Sequence, residues 1–183
     1  KSKTLERLQR IVKSAKILDQ VRFTVEKWRE TQDSLISEIQ GCFPDQSIIV
    51  RSSSIAEDSF TESMAGRFES ILNVDSSSVS SIADAVQKVI ASFGDDTIEA
   101  KDEVFIQPMT QDIAVSGVLF TKDIKTGTDY VLINYDDRSG RSDTVTSGDS
   151  ILSTAIVFKE KLNLLPEKLL PLKDVIIEVE RVL

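Results

Sequence analysis

The residues best suited to chemistry lie in one stretch of the sequence, IIVRSSSIAEDSFTESMAGRFESILNV, at positions 48–74. Arg51 ends an apolar run, and the small residues Ser63, Met64, Ala65 and Gly66 follow later in the stretch. An arginine carries a permanent charge and a planar fork of donors that matches phosphate oxygens, and small residues let backbone N–H groups approach an anion closely. A solvent-facing arginine followed by a polar hairpin loop has the same composition, so residue types alone leave both interpretations open.

Two apolar runs, at 48–50 and 71–74, must position these residues, and they predict a strand, a loop and a second strand. Hydrophobic periodicity predicts helices and strands around them. The predicted helices are 4–16, 26–39, 79–93 and one within 169–183, and the other predicted strands are 21–25, 103–107, 115–121, 130–134 and 155–158. Trp28 lies on the apolar stripe of the second helix and is expected in the core. The expected class is α/β or α+β.

Composition excludes several kinds of protein. The 183 residues carry a net charge of −8, which argues against a nucleic-acid partner. The sequence contains no run of about 18 apolar residues, so it predicts no membrane-spanning helix. The sequence has no histidine, so histidine acid–base catalysis and a phosphohistidine are excluded within these residues. The single cysteine, Cys42, excludes an internal disulfide and is expected to be inert and partly buried, which fits a cytoplasmic protein.

The order of residues adds a more specific indication. The segment VRSSSIAEDSFTESMAGRFESILNV closely resembles the VRSSATAEDxxxxSFAGQxETxLNV signature of the phosphoenolpyruvate synthase and pyruvate phosphate dikinase family. EVFIQPM is similar to the family's VVVQxM segment, and VSGVLFTKDIKTG is similar to VSGVxFTxDPxTG. The resemblance implies an ATP-grasp-like, two-lobed nucleotide-binding domain. Residues 1–100 would be the first lobe, with the phosphate-binding arginine and glycine loop, and 101–183 an incomplete second lobe with the adenine hinge strand.

The resemblance also implies roles for individual residues. Arg51 would neutralise phosphate charge and act in catalysis, while Ser63, Gly66 and Ser70 would line the phosphate loop. Gln107 would mark the adenine hinge. Met109 would be an apolar contact to the base. For Gln107, a polar side chain that only satisfies the end of a strand is the alternative.

The beginning of the chain carries a weaker resemblance. Lys1 stands four and seven positions before Leu5 and Leu8, a spacing similar to that of the family's ATP-phosphate lysine. Lys1 would then bind phosphate and act in catalysis. Lys3 is the alternate candidate, and an ordinary surface lysine is the third interpretation.

The sequence departs from the family between residues 134 and 144. The family's acidic residue is replaced by Asn134, and its GLG loop becomes Arg138-Ser139-Gly140. This polar loop either touches phosphate or metal, or lies in solvent. The family's magnesium ligands are expected beyond Leu183, so no metal ligand is assigned within the sequence.

The function implied by the resemblance is that of an ATP-binding domain, with Mg²⁺, in a phosphotransferase. The full-length parent would pass a phosphoryl group from ATP through a phosphohistidine on a separate domain to a small-molecule acceptor such as pyruvate, a glucan, rifampin or the amide of glutamine. These residues alone are expected to be inactive. The alternatives are a decayed, non-catalytic nucleotide-binding or interaction module, and an unrelated α/β interaction domain.

Overall fold

The computed structural model of the chain describes residues 2–53, 69–94, 101–123, 126–144 and 152–182. The chain divides into two compact units. The first comprises Lys1–Gln9 and Ile17–Met109, and the second comprises Arg10–Lys16 and Thr110–Leu183. Each unit contains its own antiparallel sheet, so the expected α+β class is confirmed.

The first sheet has four strands in the order β1-β4-β2-β3, and every neighbouring pair is antiparallel. Two of the helices around it begin with hydroxyl caps: Thr24 accepts a hydrogen bond from the N–H of Lys27, and Ser78 accepts one from Ser81. The elements are α1 (Ser2–Ile11), β1 (Val21–Thr24), α2 (Val25–Cys42), β2 (Ser47–Ser53), β3 (Ser70–Asp75), α3 (Val79–Ala91) and β4 (Glu103–Pro108).

One face of this sheet packs against α2 and α3. Alternate strand residues such as Val50, Val104 and Ile106 are fully buried there, because every second side chain of a strand points to the same face. Trp28 of α2 is 3% exposed and stacks on Phe23 of β1, with ring centroids 5.3 Å apart. The expected core position of Trp28 is confirmed.

A bulge lies in the pairing of β2 with β3. Ile48 pairs with Val74 and Val50 pairs with Ile71, so two residues of β3 lie opposite one residue of β2. Asn73 adopts a φ of 56°, a left-handed conformation that asparagine reaches more readily than most residues. Beyond the bulge, the pairing continues to the register partners Arg51 and Ser70.

The second unit contains a three-stranded sheet in the order β5-β6-β7. Its strands are β5 (Ser116–Phe120), β6 (Tyr130–Asp136) and β7 (Ser153–Phe158), followed by 3-10 helices at Lys159–Leu164 and Glu167–Leu169 and by α4 (Leu172–Val182). Val131 and Ile133 of β6 pack with Leu169 and with Ile176 of α4 in one buried cluster. No helix within the described ranges is both long and apolar enough to cross a membrane.

The end of α1 and the exposure of Cys42 differ from the sequence predictions. α1 ends at Ile11 rather than at residue 16, because the N–H groups of Lys13 and Ser14 donate to the carboxylate of Glu178, at 2.9 and 2.8 Å, instead of to helical carbonyls. Cys42 is exposed rather than partly buried, since its neighbours Ile39 and Phe43 occupy the buried positions at the end of α2.

β4 lies inside the first compact unit. β4 is an inner strand of the first sheet: β1 pairs with it along one edge and β2 along the other. The boundary between the two units falls after Met109. β4 therefore belongs to the first unit, because its backbone hydrogen bonds are made with β1 and β2.

Candidate functional site

The face of the first sheet that points away from α2 and α3 is polar. We call it the polar face, and it carries Arg22, Arg51, Ser53, Glu103, Phe105 and Gln107. The register aligns four residues, one on each strand, because Arg22 pairs with Phe105, Phe105 with Arg51, and Arg51 with Ser70. Directly paired residues place their side chains on the same side of a sheet. Two arginines and a hydroxyl therefore share one row with a phenylalanine.

Arg51 is oriented by the aromatic ring beside it. Its guanidinium carbon lies 5.5 Å from the centroid of the Phe105 ring, and Phe105 is only 1% exposed. A guanidinium over an aromatic face is attracted by the ring's negative π-surface, so the contact restrains the guanidinium beside the ring. The arrangement suits an arginine that presents its N–H edge to an anion.

Gln107 lies on the same face, one row further along β4. It is 6% exposed, and its Nε2 donates to the carbonyl of Leu18 at 3.4 Å. β1 begins at Val21, which pairs with Ile106, whereas β2 accompanies β4 as far as Pro108. Gln107 therefore pairs with β2 on one side, whereas on the other side it lies just beyond the first residue of β1.

Near this end of β4, a second glutamine side chain has an unsatisfied oxygen. Gln20, the residue before β1, donates from Nε2 to the carbonyl of Ser2 at 2.8 Å. Its Oε1 is the one buried side-chain oxygen in the described part of the chain without a hydrogen-bond partner. An unpaired buried acceptor is uncommon in folded proteins.

The remaining predicted site residues are Ser70, Met109, Lys1, Ser63 and Gly66. Ser70 is exposed at the start of β3 beside Arg51. Met109 is half-buried, and its N–H donates to the carbonyl of Ser47 at 2.9 Å. Lys1, Ser63 and Gly66 lie outside the described residues.

Sequence reasoning missed two residues of the polar face, Arg22 and Glu103. Their side chains are 3.2 Å apart, and Glu103 also lies 3.3 Å from the ammonium of Lys3. Arg22 contacts Glu6 of α1 as well, at 2.8 Å. The available signal was alternation: a charged residue stands between apolar residues in VRF, and another begins EVFIQ.

Several contacts of the loop that departs from the family lie within the second unit. Asn134 accepts a hydrogen bond from Thr154 at 2.9 Å. Asp136 accepts hydrogen bonds from the Ser139 hydroxyl and from the N–H groups of Arg138 and Ser139, and these hold the pKa of its carboxyl well below the ordinary range. These are contacts of a turn stabilised by its own residues.

Metal ligands are a separate question. Within the five described ranges, no group of three or more cysteine, aspartate or glutamate side chains is arranged to hold a metal ion. A magnesium ion bound by one or two carboxylates together with phosphate oxygens does not require such a group.

Comparison with known proteins decides the family. Residues 2–170 match the family model described as the pyruvate phosphate dikinase AMP/ATP-binding domain. The chain belongs to this family. The match spans both units and all of the described polar face, so the resemblance carried by the VRSSS and EVFIQ segments is confirmed, together with the ATP-grasp-like character of the fold. A search of curated proteins found no match.

Family membership supports ATP binding by this chain, and full-length members of the pyruvate phosphate dikinase family are phosphotransferases. Among the described residues, those that the resemblance connects with the nucleotide are Arg51, Ser70, Gln107 and Met109, and all four lie in the first unit. The polar face is therefore the candidate site within that unit.

Proposed function

We propose that this chain binds ATP on the polar face of the first sheet. Arg51 contacts the phosphate groups, Ser70 lies beside them, and Gln107 and Met109 mark the position of the adenine. The observation that carries the proposal is the register that brings Arg51 and Gln107 to one face of β2 and β4 in a chain of an AMP/ATP-binding family.

The chemistry of the face matches the two ends of a nucleotide. The guanidinium of Arg51 matches phosphate oxygens in charge and shape, and its contact with Phe105 limits the orientations that it must lose on binding. Gln107 offers an amide, which has both donors and an acceptor, and adenine likewise presents both kinds of group. Arg51 and Gln107 lie on neighbouring strands and one row apart. The charged guanidinium and the neutral amide are therefore at separate positions on the polar face.

The proposed role of these residues is binding and orientation. Phosphoryl transfer depends mainly on positioning and on neutralising the charge of the phosphates, and Arg51 contributes to both. Magnesium is proposed as the counter-ion of the phosphates, where it would add further charge neutralisation. The full-length parent would be a phosphotransferase that uses a phosphohistidine on another domain and a small-molecule acceptor.

A second candidate is a nucleotide-binding module without catalytic activity. It is favoured by the loop at 134–144, in which the family's acidic residue and GLG segment are replaced and the charges pair with one another, as in the contact of Arg141 with Asp143 at 2.7 Å. Phosphoryl transfer from ATP by the parent would exclude this candidate, and both candidates require ATP binding.

The test is isothermal titration calorimetry of the chain with ATP and Mg²⁺, comparing the wild type with Arg51→Ala. Loss of a hydrogen bond to a charged group costs about 1.5–3 kcal/mol, so the affinity should fall by roughly 10- to 150-fold.

Arg29→Ala is the matched control, because Arg29 is an exposed arginine of α2, whose buried residues pack on the other face of the sheet. Equal affinity of the wild type and Arg51→Ala would refute the assignment of Arg51. Absence of ATP binding to the wild type would refute the proposed function.

A further inference from the structure

Glu103 is a buried carboxylate that the predicted site does not use. It is 7% exposed at the beginning of β4, on the polar face. Three donors surround it: the hydroxyl of Ser2, the ammonium of Lys3 at 3.3 Å and the guanidinium of Arg22 at 3.2 Å. Two of these donors belong to the first turn of α1 and the third to β1, so one carboxylate joins three elements.

The first turn of α1 depends on these polar contacts. Within α1 only Ser2 and Leu8 are buried, and an isolated helix of this length is marginal in water. The N–H of Ser2 donates to the hydroxyl of Ser53 on β2 at 3.2 Å. No acidic residue stands in the first turn of α1, and Glu103 supplies the negative charge that the positive end of a helix favours.

Glu103 also determines where two cations stand. Arg22 lies between Glu103 and Glu6. The ammonium of Lys3 contacts Glu103, while 74% of the Lys3 side chain is exposed. An ammonium has three donors, so Lys3 keeps donors for a second anion while it contacts Glu103. A buried carboxylate is costly without such partners, and α1 supplies two of the three donors of Glu103.

We propose that Glu103 is a positioning residue: it docks the first turn of α1 on the polar face and thereby holds Lys3 where it acts on the phosphate end of the nucleotide. The docking of α1 stands on the contacts alone, and the effect on phosphate rests on the proposed function. Glu103 itself does not contact the nucleotide.

The experiment compares the wild type with Glu103→Gln, which keeps the shape of the side chain and removes its charge. Hydrogen exchange measures the protection of the α1 amides, and calorimetry measures affinities for ATP and AMP in the presence of Mg²⁺. We expect faster exchange in α1 with unchanged exchange in β2 and β4. The ratio of ATP affinity to AMP affinity should fall about tenfold, the lower limit for losing one contact to a charged group.

Two further variants make the result specific. Glu38→Gln, an exposed glutamate of α2, should change neither quantity. Ser2→Ala removes one of the donors and leaves the buried carboxylate in place, so it tests the docking if Glu103→Gln does not fold. Its effect on α1 exchange and that of Glu103→Gln should be less than additive in the double variant, because both variants weaken the same contact between Ser2 and residue 103.

Each outcome decides one part of the proposal. Unchanged exchange in α1 would overturn the docking role of Glu103, whether or not a nucleotide binds. Faster exchange in α1 with an unchanged ratio of ATP to AMP affinity would overturn its role toward the phosphates. If the wild type bound neither nucleotide, the proposed function would fail, and the exchange of α1 would still decide the docking role.

Discussion

Arg51 and Glu103 show how the strand position of a residue determines its surroundings. Both lie on the polar face, yet their surroundings differ: Arg51 lies over the ring of Phe105, whereas Glu103 is enclosed by donors from Ser2, Lys3 and Arg22. The family signature identified Arg51. It did not identify Glu103, because the partners of Glu103 are distant in sequence and become neighbours only through the packing of α1 and the pairing of β1 with β4.

Asp136 gives a pH-dependent prediction. Its folded-state pKa lies below the ordinary value of 3.8, first because the Ser139 hydroxyl donates to it and then because the N–H groups of Arg138 and Ser139 do. Ionised Asp136 therefore stabilises the folded chain above about pH 4, and this contribution is lost as the pH falls toward the folded-state pKa.

Carboxyl carbon NMR shifts recorded during an acid titration should give a midpoint for Asp136 below 3.8. Ser139→Ala should move this midpoint upward, toward the ordinary value. A midpoint for Asp136 at or above the ordinary value of 3.8 would show that the turn does not stabilise the carboxylate.

The type of each helix or strand was predictable from the sequence, but its first and last residues were less predictable. All the described helices and strands on which the site depends were indicated by periodicity. The end of α1 was not, because the carboxylate of Glu178, far along the chain, takes the N–H groups of Lys13 and Ser14. The bulge at Asn73 and the two 3-10 helices before α4 were also missed, since strand register and short 3-10 turns leave little periodic signal.

The pairing of β5 with β6 gives a prediction about stability. A Cβ added to Gly117 would lie 2.6 Å from the carbonyl oxygen of Asn134 and 3.0 Å from the Cβ of Tyr135. Since the obstructing atoms include backbone, Gly117→Ala should force the strands apart and destabilise the chain by about 1–3 kcal/mol, as overpacking typically does. Denaturant unfolding measures the change.

Gly41→Ala is the matched control for this variant. Gly41 lies in α2, and an added Cβ there meets no atom within 4 Å. Alanine in place of glycine in a helix stabilises it by up to about 1 kcal/mol. Equal stability changes for the two variants would contradict the close approach of β5 and β6 at Gly117.

The whole chain combines an acidic surface with a local group of cations. Its net charge is −8, yet Lys3, Arg22 and Arg51 lie on or beside one face of the first sheet. A nucleotide responds to the local arrangement more than to the total charge, so the acidic composition and ATP binding are compatible. Composition alone predicted the absence of a nucleic-acid partner but could not locate this group, because its members come from α1, β1 and β2.

The most direct test of the account is to observe the arginine side chains during ATP binding. The Nε–H signals of the ¹⁵N-labelled chain would be recorded by NMR while ATP and Mg²⁺ are added, with Arg29 as the reference on α2. The account predicts that the Arg51 signal shifts saturably and that the side-chain amide of Gln107 shifts with it, while Arg29 stays unchanged. Saturable ATP binding with unmoved Arg51 and Gln107 signals would contradict it, because the nucleotide would then lie elsewhere.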